Sequence, residues 1–172
     1  MRKPDWLSDT GCRAAQETQK SATRFARRRA AGWPEERFSI DHPLDGGPGK
    51  PEKKPAVTHF VRLATGELPV PSAGFETSRY ALLRCQLDTG RFRQIRRHLK
   101  HAFHHMIGDT SHGDGRHNLQ FRMRGVHRML LHASRLSFLH PVTGERIEKL
   151  APLDSEFRKA FEMFSWAPET HG

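Results

Sequence analysis

The sequence predicts an α+β fold with a mixed, mainly antiparallel sheet and flanking helices. Alternating or β-rich segments, typical of strands, occur at 56–64, 79–90 and 129–140. Apolar residues at helical spacing, typical of amphipathic helices, occur at 93–103 and 155–164. A turn signal at Thr143–Gly144 favours a closing hairpin. Together these observations predict one mixed domain whose ordered part begins near 56 and ends near 166.

The first predicted strand, AVTHFVRLA, begins at Ala56, and the turn-rich segment GELPVPSAGFET links it to a second strand, RYALLRCQLDTG. The second strand ends in a turn at Asp88–Gly90. RQIRRHLKHAF then has helical spacing, with Ile95, Leu99 and Ala102 on one face and Arg and His on the other. This segment therefore predicts a helix with one apolar and one basic face.

The segment after this helix, HHMIGDTSHGDGRHN, is rich in Gly, His and Asp and predicts a loop. MLLHASRLSFLH predicts a strand, and HPVTGERIEKLAP continues it into the hairpin. Asp154 is expected to cap a closing helix, SEFRKAFEMF, in which Phe157, Phe161 and Phe164 share an apolar face.

The N-terminal segment, residues 1–31, predicts a disordered or non-native basic stretch. Its apolar residues are sparse and mostly Ala, and it contains a basic run with Arg24 and Arg27–Arg29. A helix over 14–30 is the alternative, although it would have no wide apolar stripe to bury. Residues 41–55 are rich in Pro, Gly and Lys and predict a loop.

The charge of the chain indicates a polyanionic partner. Its 172 residues have a net charge of +10, a pI near 10.4 and a mean hydropathy of −0.73. Nucleic acid is the first candidate, while an anionic membrane and a generally basic proteome are the alternatives. The two cysteines, Cys12 and Cys85, suggest no disulfide framework, and the sequence contains no signal peptide or apolar run of membrane-spanning length. We therefore expect a protein of the reducing cytoplasm with no membrane partner.

Residues 89–114, TGRFRQIRRHLKHAFHHMIGDTSHGD, resemble the third conserved motif of the large pseudouridine synthase family that modifies ribosomal and transfer RNA. The family pattern is G-R-x-H-Q-[IL]-R-x-H, a hydrophobic helix, and then H-P-[IL]-x-G-D with an aromatic residue or His before Gly. The matching residues are Gly90, Arg91, Gln94, Ile95, Arg96, His98, His105, Ile107, Gly108, Asp109, His112 and Gly113. Two positions depart from the pattern, because Arg93 replaces a His and Met106 replaces a Pro.

The resemblance continues through 32–44, 55–64 and 128–153, and it is greatest to the branch called tRNA pseudouridine synthase C. It implies the C-terminal part of a catalytic domain over 32–166, followed by a tail at 167–172. It also implies the isomerisation of a uridine in RNA, with tRNA as the expected substrate. This chemistry uses no cofactor and no metal, and members of the family are largely monomeric.

In this family a nucleophilic Asp is paired with a cation, because a buried carboxylate needs an opposite charge to remain ionised. The resemblance assigns the pairing role to Arg96, with Arg91 as the second choice. Leu131 is expected beside the target base, although a core position in its strand is an equal alternative. The other residues expected to bind the substrate are Arg91, Arg93, Gln94, Arg97, His98, Lys100 and His101. For Arg97 and Lys100, an ordinary solvated helix face is the alternative.

The family's nucleophile motif, H-R-[LI]-D-x-x-[TV]-S-G, has no counterpart in the sequence. Only Asp9, in LSDTG, bears a faint likeness to it, whereas turn hydrogen bonds suffice to explain Asp109 and Asp114. Three explanations stay open: a frameshifted gene with 1–30 read in the wrong frame, a trimmed or mis-started gene model, and a genuine short protein.

Under the first two explanations, we expect the chain alone to be inactive and marginally folded. A cooperative thermal melt followed by circular dichroism would contradict the expected marginal stability. Under the third, the chain is a non-catalytic RNA-binding remnant, which is the alternative function.

A metal protein is a further class to consider, because six histidines cluster within 98–117. His101 and His105 have the i, i+4 spacing that can hold zinc on a helix. However, no Glu lies between them, Cys85 is isolated, and four of the six histidines coincide with or adjoin motif positions. We therefore predict no metal site.

Overall fold

The structure, a computed structural model, describes residues 19–28, 36–72 and 74–167, and for 19–28 it describes the backbone alone. Its strands are β1 (Gln19–Arg28), β2 (Arg37–Asp41), β3 (Leu44–Asp45), β4 (Lys53–Lys54), β5 (Val57–Leu68), β6 (Ser78–Leu87), β7 (Leu131–Leu139) and β8 (Arg146–Leu150). Its helices are α1 (Gln94–His101), α2 (Gly115–Arg122) and α3 (Ser155–Glu162). The predicted α+β class is confirmed.

Within the described residues, six strands form one sheet in the order β2–β5–β6–β1–β7–β8, and every neighbouring pair is antiparallel. Strands β3 and β4 form a separate antiparallel pair. The pairs β5–β6 and β7–β8 join strands that are consecutive in the chain, as short antiparallel connections allow. Strand β1 lies between β6 and β7 and so joins the two hairpins into one sheet.

Strand β6 lies at the centre of the core, because both of its faces are buried. Tyr80 and Leu82 belong to one apolar cluster and Ala81 and Leu83 to the other, following the two-residue period of a strand. The second cluster includes Leu99 of α1. The first includes, from α2 and α3, Phe121, Phe157, Ala160 and Phe161. Helix α1 therefore packs on one face of the sheet, while α2 and α3 pack on the other.

Most of the predicted elements are confirmed. The strands at 56–64, 79–90 and 129–140 correspond to β5, β6 and β7, and β8 completes the hairpin through Thr143–Gly144. The helices at 93–103 and 155–164 correspond to α1 and α3. Asp154 caps α3 as expected, since its Oδ1 accepts the N–H of Phe157 at 2.9 Å. No helix in the described ranges combines the length and apolar character needed to cross a bilayer.

The prediction that order begins at Ala56 is wrong, because β2 precedes it and pairs with β5. Phe38 of β2 lies opposite Phe60 of β5 and stacks on it, with ring centroids 4.9 Å apart. Such cross-strand aromatic pairs stabilise a sheet edge through contacts that a single-strand pattern does not reveal. The loop predicted at 41–55 also contains the short β3–β4 pair.

The prediction of a loop after α1 is wrong for its last residues, because α2 begins there. Asp114 caps this helix by accepting the N–H of Arg116 at 3.0 Å. The buried residues of α2 are His117, Asn118 and Phe121. Because two of these three are polar, the apolar periodicity that would predict a helix is absent.

The expectation of a disordered stretch or a helix is wrong for residues 19–28, which form β1. The backbone pairs with β6 on one side and β7 on the other, so partners distant in the chain determine its conformation. The other residues of 1–31 lie outside the described part of the chain, as do 168–172. The domain boundaries at 32 and 166 stay predictions.

A buried polar network attaches α1 to β5. The side-chain oxygen of Gln94 accepts from Thr89 Oγ1 and from the Arg91 N–H, at 2.8 and 2.9 Å. Its amide nitrogen donates to Val57 O at 2.9 Å and to Thr58 Oγ1 at 3.0 Å. Every hydrogen-bonding site of this buried amide therefore has a partner, which buried polar groups require.

His98 continues this network. Its Nε2 donates to the His42 carbonyl at 3.0 Å, so its Nδ1 accepts from Thr58 Oγ1 at 2.9 Å. Burial lowers the pKa of His98, although the hydrogen bond to His42 opposes this effect. The ring is fully buried and neutral, and it fixes the loop at His42 against the helix.

Replacing Gln94 by Ala should destabilise the fold by about 2–4 kcal/mol, because several buried partners lose their hydrogen bonds at once. Gln86→Ala is the matched control, since Gln86 is exposed on β6, and its effect should stay within about 0.5 kcal/mol. Urea denaturation of both variants measures the two free energies of unfolding. Equal effects would contradict the anchoring role of Gln94.

Candidate active site on helix α1

Helix α1 positions most of the residues predicted to act. Gln94, His98 and Leu99 form its buried side. Arg96 and Arg97 lie at the margin and are partly buried. The exposed residues of the helix and its N-cap are Arg93, Lys100 and His101. The helix therefore presents a basic surface while its polar and apolar underside holds it on the sheet.

Arg96 forms a two-pronged ion pair with Asp109 in the loop after the helix. Its Nε donates to Oδ2 and its Nη2 to Oδ1, both at 2.7 Å. The Asp109 side chain has no exposed surface, whereas the Arg96 side chain is 17% exposed. Paired planar groups of this kind give strong, directional hydrogen bonds. The pair therefore fixes the direction of the Arg96 guanidinium.

The position of Asp109 depends on two glycines of the loop, each of which lies against backbone too close to allow a Cβ. Gly108 has a φ of 77°, and a Cβ there would lie 2.0 Å from the Arg128 carbonyl oxygen. A Cβ on Gly113 would lie 2.1 Å from the Asp109 carbonyl oxygen. Asn118 of α2 closes the loop, since its Oδ1 accepts from the Gly108 N–H and its Nδ2 donates to the Asp109 carbonyl.

The environment of Asp109 keeps it ionised. Burial by itself would raise its pKa, but the Arg96 hydrogen bonds and the N–H groups of His112 and Ser111 lower the pKa to about 2. Both N–H groups donate to Oδ1 at 2.9 Å. Oδ1 accepts three hydrogen bonds and Oδ2 accepts one, and the side chain is buried, so Asp109 is a poor nucleophile and a good structural anion.

His112 adjoins this ion pair. Both of its ring nitrogens are buried, and within the described residues neither has a hydrogen-bond partner. Burial lowers the pKa of His112; the charge of Asp109 raises it, while Arg96, Lys100 and Arg93 lower it further. The ring is therefore neutral, and it lies among the charges that surround Arg96.

A second group of charges lies beyond Arg97. Arg97 donates through Nη2 to Asp45 Oδ2 at 2.6 Å and through Nη1 to the Asp45 carbonyl at 3.0 Å. The rings of His42 and His101 stack with centroids 3.9 Å apart. Burial lowers the pKa of His42, and the neighbouring His101, Lys53 and Arg97 lower it further. This side of α1 is therefore basic but already partly paired within the protein.

The structure separates the predicted site residues into two groups. Arg93, Lys100 and His101 are exposed and Arg96 is partly buried, and His101 stacks on His42 on the Arg97 side of α1. Gln94 and His98 are buried and fully engaged in the network with Thr58, so the RNA contacts predicted for them are not supported.

The remaining predicted residues have structural partners. Arg97 pairs with Asp45, and Arg91 donates from Nε to the Pro55 carbonyl at 3.0 Å. Leu131 is partly buried and packs against the second apolar cluster, which agrees with its core alternative.

Sequence reasoning missed Asp109 as the partner of Arg96. The turn hydrogen bonds expected for Asp109 and Asp114 are confirmed, but the ion pair was not anticipated. The sequence contained a signal for this ion pair, because Arg96 and Asp109 have opposite charges and occupy fixed positions in the two halves of one motif. Asn118 gave no comparable signal.

Among the described aspartates, Asp109 is the one that pairs with Arg96. The others have different partners or positions. Asp45 pairs with Arg97, Asp88 with His59, and Asp154 with Arg128. Asp114 caps α2, and Asp41 is exposed at the end of β2. Asp9, with its faint likeness to the nucleophile motif, lies outside the described residues.

The histidines do not converge on a common point. His101 stacks on His42, while His105 uses Nδ1 to bond the His112 carbonyl at 2.9 Å. Among the described residues, no group of three or more His, Cys, Asp or Glu side chains is arranged to hold a metal ion.

Comparison with known proteins identifies the family to which this arrangement belongs. The family model described as RNA pseudouridylate synthase matches residues 17–101, which include β1 and the basic helix. Bacterial proteins named tRNA pseudouridine synthase C match over most of the chain. The chain belongs to the RNA pseudouridine synthase family. The relative from Vibrio parahaemolyticus is 40% identical over 148 residues, or 80% of this chain and 60% of that protein.

Two further relatives with the same name are 37% identical. The protein of Vibrio vulnificus matches 89% of this chain and 65% of its own length, and that of Salmonella typhimurium matches 92% and 65%. The chain thus spans between 60% and 65% of the length of these three relatives.

Solved structures agree with the fold. Human RNA pseudouridylate synthase domain containing 1 superimposes with a TM-score of 0.60 and 24% identity, covering 92% of this chain and 65% of that one. The domain containing 4 protein superimposes with a TM-score of 0.58 and 17% identity, covering 92% and 68%. The sheet and its helices therefore have the family's fold.

Asp109 should make stability depend on pH below about 4. Its folded pKa is about 2, below the ordinary aspartate value of 3.8, so its ionic contribution is complete above about pH 4 and is lost as pH falls towards 2. This contribution is worth about 2 kcal/mol. Urea denaturation between pH 2 and 7 should give a shallower acid slope for Asp109→Asn than for the wild-type chain. Parallel slopes would contradict the assignment.

Gly113→Ala should destabilise the loop by about 1–3 kcal/mol, because the new Cβ would overlap backbone that must move. Gly115→Ala is the matched control, since a Cβ there would meet nothing within 4 Å. In the first turn of α2, this substitution should stabilise by up to about 1 kcal/mol. Thermal melts of the two variants should therefore shift in opposite directions, and shifts in the same direction would contradict the packing described.

Proposed function

We propose that this chain acts in RNA pseudouridine synthesis, with a uridine of tRNA as the substrate. The observation that carries the proposal is the state of Arg96. Asp109 occupies the Nε and one N–H of Nη2, while Nη1 has no acceptor among the described residues. A guanidinium has a second edge that can bind a carboxylate, and the Arg96 side chain is 17% exposed.

The chemistry suits a site with this fixed cation. In the isomerisation, the N1–C1′ bond of uridine breaks, the base turns, and a C5–C1′ bond forms. The proton that leaves C5 balances the proton that N1 gains, so no cofactor or metal takes part. Arg96, directed by Asp109, would keep a nucleophilic carboxylate ionised beside the base. Asp109 itself is excluded as that nucleophile by its burial and its four donors.

The surface of α1 supports RNA as the ligand. Arg93 and Lys100 are exposed at the two ends of α1, and the whole chain carries a net charge of +10. Such residues bind phosphates and orient a nucleic acid without reading its sequence. The names of the bacterial relatives support tRNA in particular. The proposal takes the protein to act as a monomer in the cytoplasm, where bacterial tRNA is found.

A non-catalytic RNA-binding protein is the second candidate. It is favoured by the absence of an H-R-[LI]-D-x-x-[TV]-S-G pattern from these 172 residues. The two candidate functions share the basic surface. They differ in whether a nucleophilic carboxylate pairs with Arg96. Uridine conversion by a chimera that supplies the nucleophile motif therefore discriminates between them, whereas RNA binding does not.

The first experiment incubates the chain with an unmodified tRNA transcript and maps pseudouridine by carbodiimide-dependent reverse-transcription stops. We expect binding that weakens with salt and no conversion, because the nucleophile pattern is absent. Conversion by the chain alone would mean that one of its own carboxylates is the nucleophile. An Asp9→Ala variant would then test the remaining candidate.

The second experiment replaces the matched stretch of the Vibrio parahaemolyticus protein with the corresponding part of this chain. The chimera should convert uridine, and Arg96→Gln within it should lower kcat by about 100-fold or more, as expected when a preorganised electrostatic contact is lost. Arg122→Gln, which changes an exposed residue of α2, is the control and should retain activity. A folded chimera that binds tRNA without converting it would favour the non-catalytic candidate.

A further inference from the structure

Phe103 occupies the turn that ends helix α1. The His104 N–H donates to the Leu99 carbonyl at 2.7 Å, and the Phe103 N–H donates to the Lys100 carbonyl at 3.0 Å. This pair of bonds forms a Schellman motif, in which the residue after the C-cap adopts a left-handed conformation. Phe103 has that conformation, with a φ of 59°. Glycine is the residue most often found at such a position.

Phe103 is unfavourable for stability on two counts. A side chain with a Cβ is strained in the left-handed region, and 65% of Phe103 is exposed, so its ring buries little apolar surface. The flanking Leu99 and His104, by contrast, are buried. Backbone strain that is not offset by burial of the side chain is evidence for a role in function.

A second exposed aromatic lies at the other end of α1. Phe92 is 43% exposed and rests directly on Gly47, where a Cβ would lie 2.8 Å from its Cδ1. The Arg93 guanidinium lies over the ring, with Cζ 4.8 Å from the centroid. This cation–π contact holds the guanidinium near the ring face. Because Arg93 is exposed, its outer face is available to another planar group.

We propose that Phe103 and the Arg93–Phe92 pair each stack on an unpaired nucleobase of the RNA, one at either end of helix α1. The inference rests on the proposed function and adds the nucleotides that flank the target uridine. Aromatic rings and guanidinium planes are the groups on which proteins stack unpaired bases. An eight-residue helix is about 12 Å long, so the two positions hold different nucleotides.

The charges between the two stacking positions favour RNA over an apolar partner. Arg96 and Lys100 are spaced at i and i+4, which puts them on one side of the helix, and Arg93 is the N-cap of the same helix. An RNA strand held at both ends of α1 would therefore pass over Arg96 with its phosphates near Arg93 and Lys100. A second copy of the chain, with its own net charge of +10, is disfavoured at this surface.

The test uses the full chain with two probes, an unmodified tRNA transcript and a ten-nucleotide oligouridylate, by fluorescence anisotropy at several salt concentrations. Phe103→Gly should raise Tm by about 2–4 °C, because it relieves the left-handed strain. The same variant should raise Kd about tenfold or more and leave the salt dependence unchanged. Phe103→Trp keeps a ring and should bind as the wild type does.

Lys100→Ala provides the contrasting pattern. It should lower the salt dependence of log Kd by about one phosphate contact. The rise in Tm shows that Phe103→Gly is folded, so weaker binding by that variant would report the lost ring alone.

Three results would overturn the inference. Wild-type affinity in Phe103→Gly would remove the stacking role while leaving the proposed function intact. Absence of salt-sensitive binding by the wild-type chain to either probe would remove the proposed function and the inference together. A dimer that Phe103→Gly converts into a monomer with unchanged RNA affinity would assign the ring to self-association.

Discussion

The ion pair between Arg96 and Asp109 joins helix α1 to the loop that follows it, and the geometry of the candidate site depends on this link. The helix is held from below by Gln94 and His98, which bond the backbone and side chains of neighbouring segments. The loop is held from the other side by Asn118 of α2. Arg96 is therefore fixed from two directions, although it lies at the surface. A guanidinium fixed in this way loses little further conformational freedom when it binds a second anion.

The sequence allowed the fold class and most of the elements to be predicted, because β5, β6, β7 and the helices α1 and α3 have their own hydrophobic patterns. It did not reveal β1, whose partner strands lie far away in the chain, or β2, which pairs with β5. It also did not reveal α2, because His117 and Asn118 are buried where apolar residues would be expected. In each case the conformation depends on contacts that the segment's own apolar pattern does not show.

The motif at the site has a similar limit. The motif pointed to Arg96 and to the exposed Arg93, Lys100 and His101, whose roles stay predictions. It could not distinguish a residue that contacts the ligand from one that stabilises the fold. Gln94 and His98 belong to the motif, yet their polar atoms are used within the protein. Burial and hydrogen-bond partners make this distinction, and neither is visible in a pattern of letters.

Strand β1 has a consequence for how the molecule assembles. It lies between β6 and β7, with Gln19 opposite Ser137, so the strand nearest the start of the described chain is completed by one of the last. Contacts between such distant positions close long loops, which cost chain entropy before any packing compensates for it. During synthesis, β1 would leave the ribosome long before either of its neighbours. Until they follow, its unpaired backbone edge is open to pairing with other chains.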